Sequence, residues 1–324
     1  MSELIAAREH ANLRHALLGG ASAFAMLMVV TGQALADDQN HFTFELGGQY
    51  GIESGDSTDW FVPAGGEGGT LGGVTADTFR IKPSHSWNID GAIKLQPADS
   101  DLIFRLGLQY GRTANKHKNV FLSYYPSYYG GTAYYTAFVG HREEHTKVDF
   151  QVGKDFGLGM FGNNSGTSIF SVGIRYAQFN ARTNIDFYTS TKYFATTGAA
   201  RLTRSFVGVG PMISWEASAP ISDDGFAIDW GAEVAVLFGR QKTRLAVVYN
   251  DGYSYSTERH RNVTVPEVGG FMGLSWTCPD APAKVTFGYK VDALFNLYDG
   301  GFQTARDSSR ITHGPFLKVG VNVN

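Results

Sequence analysis

The segment AKVTFGYKVDALFNLYDG, residues 283–300, alternates with a period of two. Val285, Phe287, Tyr289, Val291, Ala293, Phe295 and Leu297 fall on one face, while Lys284, Thr286, Gly288, Lys290, Asp292 and Asn296 share the other with Leu294 as an apolar intruder. Period two predicts a strand. At about a dozen residues of ~3.3 Å each, it exceeds the usual soluble strand of about 5–6 residues. An unusually thick apolar layer is therefore expected against one face.

The pattern recurs in about ten segments, an even number. They open with Phe42, Phe44 and Leu46, continue through runs such as Leu102-Phe104-Leu106-Leu108-Tyr110 and Phe226-Ile228-Trp230-Ala232-Val234, and close with Leu317, Val319, Val321 and Val323. The connections alternate as well. Short Pro/Asp/Gly-rich links (PADSD, APISDDG, CPDAPA) and a somewhat longer one (KDFGLGMFGNNSG) alternate with long polar or aromatic stretches at 54–86, 113–146, 180–205, 240–266 and 298–313. Soluble domains seldom carry so many long loops. Short turns on one side, long loops on the other and an even strand count predict an all-β, antiparallel transmembrane β-barrel of about ten strands, within a range of about eight to twelve, with long extracellular loops and short periplasmic turns. Closure would pair every backbone group that a bilayer leaves unsatisfied. The rival fold, a secreted β-sandwich with one wet face per sheet, needs neither long strands nor alternating loop lengths.

In a barrel the polar face becomes the lumen. Expected lumen-lining residues are Asp90, Lys94, Arg105, Asp149, Arg175, Asp229, Glu233, Lys290, Asp292 and Lys318, with Glu45, Lys147, Glu216 and Lys284 on the same face. Mixed charges in a narrow barrel are expected to pair across the interior, because an unpaired buried charge is costly; in a wet pore they would set ion preference. Trp87, Tyr110, Tyr176, Trp215, Trp230, Trp276 and Tyr298 lie near segment ends or within strands and are expected in the aromatic girdles at the two interfaces.

Composition agrees with this picture. In 324 residues the net charge is -3 and only 18% are charged, which argues against nucleic-acid binding and disorder, while 40 Gly, 16 Tyr and 23 Phe suit a turn-rich β protein. Residues 1–36 differ in kind: Arg8 and Arg14 precede an apolar run at 16–30, and Ala34-Leu35-Ala36 stands before Asp37. They read as a cleaved secretory signal, leaving 37–324 as the barrel domain. The run is shorter than the roughly 20 residues of a membrane-spanning helix. Cys278 is the sole cysteine, so no internal disulfide is available and the residue reads as a small turn-proximal side chain.

Three motifs have bland readings. HREEH at 141–145 matches a zinc-site pattern, yet that chemistry needs both histidines on one helical face and the flanks here are strand-like, so it reads as a charged rim segment. PAGGEGGTLGG at 63–73 lacks the Lys-Ser/Thr pair of a phosphate loop and reads as a surface loop. The tyrosine cluster SYYPSYYGGTAYY at 123–135 reads as a structured loop near lipid headgroups.

The hairpin SFVGVGPMISWEASAPISDDGFAIDWGAEVAVLFGRQ, 205–241, resembles the pore-forming major-outer-membrane-protein family typified in Legionella. VTFGYKVDALFNL is similar to that family's penultimate strand and GPFLKVGV to its last. The likeness covers roughly the C-terminal third to half of the mature chain, although the ending VNVN lacks a terminal aromatic residue. It implies a pore-forming outer-membrane barrel, with no catalytic residues to carry over.

The expected function is passage of small hydrophilic solutes or ions through a mixed-charge lumen, without cofactor, metal or catalysis. The expected location is a Gram-negative outer membrane, with membrane lipid, periplasmic chaperones and the barrel-assembly machinery as partners. A second reading is a closed barrel serving as surface adhesin, receptor or envelope structure through its long loops. A third is a rim-active enzyme. Closely paired lumen charges with no continuous water path would favour the second; a tight His/Asp or Ser/His cluster at the rim would favour the third.

Overall fold

The computed structural model describes residues 40–60, 79–98, 100–124, 133–158, 166–190, 195–279, 281–301 and 304–323. The expected signal segment, the glycine-rich stretch 63–73 and residues 125–132 of the tyrosine cluster lie outside them. Strands β1 (His41–Gly55), β4 (His85–Gln96), β5 (Leu102–Thr113), β12 (Ala283–Asp299) and β13 (Asp307–Val323) are 12 to 17 residues long. Strands β7 (Ala133–Asp155), β8 (Thr167–Ser190), β9 (Ala195–Pro220), β10 (Phe226–Tyr249) and β11 (Ser254–Thr277) run to 23–26 residues. Two-residue strands β2 (Thr58–Asp59) and β3 (Arg80–Ile81) pair in the first long connection, and β6 (Lys116–Tyr124) follows β5.

The ten longer strands are antiparallel to their neighbours in the order β5-β4-β1-β13-β12-β11-β10-β9-β8-β7, and β5 pairs with β7 to close the barrel. β6 extends β5 along the same edge of β7. Arg112 lies opposite Glu144 and Lys116 opposite His141, so a one-residue slip at 114–115 separates the two. The first and last strands meet with Phe42 opposite Val323, which puts both ends of the described chain beside the short turns. Gly225 in one such turn has φ +85°, and a Cβ there would lie 2.6 Å from the Thr277 carbonyl oxygen, so the turn requires glycine.

The outer surface is apolar where the sequence alternation requires it. On β10, Phe226, Ile228, Val234 and Phe238 point outward and are exposed. The twelve steps between the first and last span about 40 Å along the strand and, at a tilt of about 45°, ~28 Å of height, close to a hydrocarbon core of about 30 Å. No helix among the described residues is long and apolar enough to cross a membrane. This is an antiparallel transmembrane β-barrel.

Above the belt the alternation inverts. On β8 the outward Phe170, Val172, Ile174 and Tyr176 give way to the inward Ala177, Phe179, Ala181 and Ile185. On β10, Leu245 and Val247 turn inward while Arg240 and Arg244 face out. Stretches 113–146, 180–205 and 240–266, expected as loops, are therefore largely strand, and they form a curved wall that stands above the membrane belt. Their apolar face has no lipid to meet and packs on a loop instead. Trp60, Phe79 and Ile81 around the β2–β3 pair bury against Val120, Leu122, Tyr135, Ala137, Val139 and Ile185. Burial of each large apolar side chain contributes about 1.5–3 kcal/mol, which anchors this loop inside the wall.

Candidate functional site in the barrel interior

All ten expected lumen residues face the interior, as do Glu45, Lys147, Glu216 and Lys284, and they sort into tiers along the axis. Nearest the short turns, Asp229 takes Lys284 at 2.8 Å together with the hydroxyls of Ser218 and Thr286. Next, Glu45 and Glu216 share Lys94 at 3.0 and 2.8 Å, Arg105 bonds Glu216 at 2.9 Å, and Lys318 stands 3.6 Å from Glu45. Asp90 lines a cavity of about 80 Å³ with Arg105 and Lys290.

The middle tier centres on Arg175. Its guanidinium donates to both oxygens of Asp149 at 2.7 Å and to both oxygens of Glu233 at 3.0 and 3.1 Å, and it lies 2.9 Å from Glu267. Lys147 reaches Glu267 at 2.5 Å, and Lys290 stands 3.4 Å from Asp292. The carboxylates of Glu233, Glu267 and Asp292 each bring an oxygen within 4.8 Å of the others. Gly269 allows this approach, since a Cβ there would lie 2.7 Å from Asp292 Oδ1 and 2.9 Å from Glu233 Cγ. Three acids so placed resemble a metal's donor set, but Arg175, Lys147 and Lys290 already supply three positive charges to them.

Apolar groups interrupt the polar column twice. Phe271 and Phe316 meet edge to face inside the barrel, with ring centres 5.8 Å apart, and the Lys318 ammonium lies 5.4 Å from the Phe271 ring. Higher up, β12 leaves the wall: its pairing with β11 ends at Leu294, and Asn296 adopts φ 59° in a bulge. Gln241 on β10 donates to the Asn296 carbonyl at 2.6 Å. The bulge breaks the alternation, so the consecutive Leu297 and Tyr298 both turn inward beside Leu294 and pack with Phe179, Phe206, Leu237 and Val265. Two expectations are corrected here. Leu297 does not share the lipid face with Phe295, and Tyr298 is not a girdle residue. Tyr298 is 1% exposed, with Arg310 5.3 Å above its ring.

The other six expected girdle residues lie toward the outer face in two groups. Trp87 and Tyr110 pack together at 5.6 Å, on the same side of the belt as Tyr176. Near the short turns, Trp215 stacks on Phe170 at 5.8 Å, lies edge-on to Trp230 at 6.3 Å and donates to Ser168 Oγ at 3.0 Å, with Trp276 close to the end of β11.

Arginines bridge the elements at the outer mouth. Arg310 donates to both oxygens of Glu143 at 2.6–3.0 Å. Arg204 donates from the wall to the carbonyls of Asp299, at 2.6 Å, and Asp59, which joins the first and last long connections to β9. Arg306 bonds Asp59 at 2.9 Å and Arg259 bonds Asp299 at 2.5 Å. The HREEH segment lies within β7, so His141, Glu143 and His145 face inward while Arg142 and Glu144 face out. Four residues of strand separate its histidines by ~13 Å. His141 bonds Glu143 at 2.9 Å and Thr183 at 2.8 Å. Glu143, Arg204, Gln241, Glu267 and Arg310 are interior residues that sequence reasoning missed. Glu267 was the easiest of them to find, being one step before Val268, the first residue placed on that strand's lipid face.

Two further cavities lie among these tiers. One of about 140 Å³ lies beside Glu45, Lys94 and Lys284, and one of about 30 Å³ is bounded by Glu143, His145, Asp292, Leu294, Leu297, Tyr298 and Arg310. The latter has room for roughly two waters.

No family model matches the chain, and no curated protein matches it. Among solved structures it is similar to the outer membrane protease OmpT from Escherichia coli, with a TM-score of 0.40 and 10% identity over 89% of this chain and 97% of that one. It is similar to a major outer membrane protein from Thermus thermophilus with a TM-score of 0.32 and 9% identity, over 88% and 99% of the two chains. The translocator domain of the autotransporter NalP from Neisseria meningitidis aligns with a TM-score of 0.27 and 9% identity, over 94% and 97%. Nothing about function is carried over from them.

Proposed function

We propose that this chain is an outer-membrane β-barrel whose lumen is closed at rest, and that its work is done by the wall and loops at the outer end, in surface contact or envelope structure. The carrying observation is the plug formed where Leu294, Leu297 and Tyr298 cross to Phe206 and Leu237, capped by the Arg310–Glu143 pair. An apolar layer with paired charges on both sides repels ions twice: dewetting denies them water, and most lumen charges, Asp90 excepted, already have a partner. Bilayer lipid would cover the belt. Periplasmic chaperones and the barrel-assembly machinery would deliver the chain.

The open-pore reading keeps one observation on its side. Cavities of about 140 and 80 Å³ sit one above the other on the short-turn side, sharing Glu216, Phe271 and Lys318 in their walls. The resemblance of 205–241 to the Legionella-type pore-forming family points the same way. Efflux from liposomes separates the two. Vesicles bearing the folded chain should retain an entrapped disaccharide as long as empty vesicles do, and rapid loss would replace the closed barrel with a pore.

A further inference from the structure

A band of cations occupies the outward face immediately above the apolar belt. Arg240, Lys242 and Arg244 take successive outward positions on β10, while Arg142, Arg182 and Arg201 face out from β7, β8 and β9. The ladders align them: Arg142 lies opposite Arg182, Arg182 opposite Thr203, and Thr203 opposite Arg244. One rung thus carries three guanidinium groups across four strands, two of them directly opposed. Like charges directly opposed on a sheet destabilise it unless an anion lies between them.

Local counter-charge falls short. Glu144 serves both Arg112 and Arg142 at 3.5 and 3.1 Å, and Glu258 serves Lys242 at 2.9 Å as well as His260. Arg182 and Arg201 have contacts of their own, which leaves Arg240 and Arg244 as the band's surplus charge among the described residues. Arg240 and Arg244 are exposed and bond no other described residue. Below Arg240 an open groove is lined by Val207, Phe238, Asn262 and Thr264. Its floor is apolar, with Val207 41% and Phe238 57% exposed, and its upper wall is cationic.

We propose that this band is a docking surface for phosphorylated glycolipid headgroups of the outer leaflet. Phosphates would lie along Arg142, Arg182, Arg240 and Arg244, with an acyl chain descending over Phe238 and Val207. The collar sits within two residues of the belt's last phenylalanine, where headgroups lie, and a guanidinium fork matches phosphate geometry. A soluble anion would have no use for the apolar floor. The inference rests on the reading that the long-strand end faces outward from an outer membrane.

The full mature chain in detergent micelles, titrated with a diphosphorylated disaccharide lipid and with the same lipid stripped of both phosphates, tests this by native mass spectrometry. The variant R142Q/R240Q/R244Q should bind the phosphorylated lipid roughly a hundredfold more weakly, about fivefold per arginine. Wild type should bind the stripped lipid no better than that variant does. Single R240Q and R244Q variants, each expected to lose about fivefold, serve if the triple variant fails to fold. Equal binding of the two lipids, or of wild type and variant, overturns the proposal. So does complete displacement of the lipid by inorganic phosphate, which would make the band a simple anion site. A barrel that never inserts into phosphatidylcholine bilayers would defeat the membrane reading itself; one that inserts yet ignores phosphate defeats only this proposal.

Discussion

Replacing Arg175 by Met removes the hub of the middle tier while keeping a side chain of similar length. Three carboxylates lose their shared cation: Asp149 and Glu233, whose side chains are 16% and 20% exposed, and Glu267, which is fully buried. Each contact near 3–4 Å is worth about 4 kcal/mol at an effective dielectric of about 20, but the guanidinium also cost desolvation energy on burial. Breaking a buried pair by removing one partner nets about 3–5 kcal/mol. That range is expected for Arg175→Met, with Lys147 still holding Glu267. Urea unfolding from lipid vesicles, followed by tryptophan fluorescence, reads the change. Adding Glu267→Gln should restore at least a third of the loss by removing the most buried of the stranded charges. A loss below about 1 kcal/mol for Arg175→Met, or no relief from the second change, would show that water already screens the tier and that the lumen is wetter than the structure implies.

Three further outcomes follow from the same geometry. Val234→Arg, on the outward face near mid-belt, should cost about 2–4 kcal/mol of insertion free energy, whereas Ala246→Arg, above the inversion, should cost about 0–1 kcal/mol; equal costs in a vesicle-folding titration would misplace the belt. Trp60→Ala empties a fully buried site in the first connection and should cost about 3–5 kcal/mol locally. Hydrogen exchange should then quicken at 58–60 and 79–81 while β8 to β10 stay protected, and unchanged protection there would contradict the anchoring. Gly269→Ala places a methyl group against Asp292 and Glu233 and should lower the urea midpoint, whereas Gly48→Ala, on the outward side with its nearest neighbour, the Asn88 carbonyl oxygen, at 3.6 Å, should leave it nearly unchanged.

The barrel was legible because one physical demand, apolar out and polar in, repeats with period two over most of the chain. Strand count, short-turn side, the inward placement of the charges and the outward placement of six of the seven aromatics all descend from it. The wall above the membrane was not legible, because the same period continues there with its phase reversed: Phe179 and Leu245 face in while Arg182 and Arg244 face out. A reader tracking one phase sees the pattern dissolve and takes the remainder for loop. The plug was hidden for a different reason. It depends on a bulge with one left-handed residue, Asn296, which brings Leu297 in from the lipid face its position predicts to lie beside Tyr298. Partnerships across the lumen, such as Arg310 with Glu143 over 167 residues of sequence, depend on barrel closure and register, which no local pattern carries.

The central claim is that the lumen is shut by the apolar crossing of β12. Single-channel recording of residues 37–324 in a planar bilayer tests it most directly, alongside Leu294→Ala/Leu297→Ala. The closed-barrel account predicts wild-type barrels that insert with the current held at the bilayer baseline, and discrete conductance steps once the two leucines are truncated. Regular, reproducible steps from the wild-type chain would contradict it and restore the open pore.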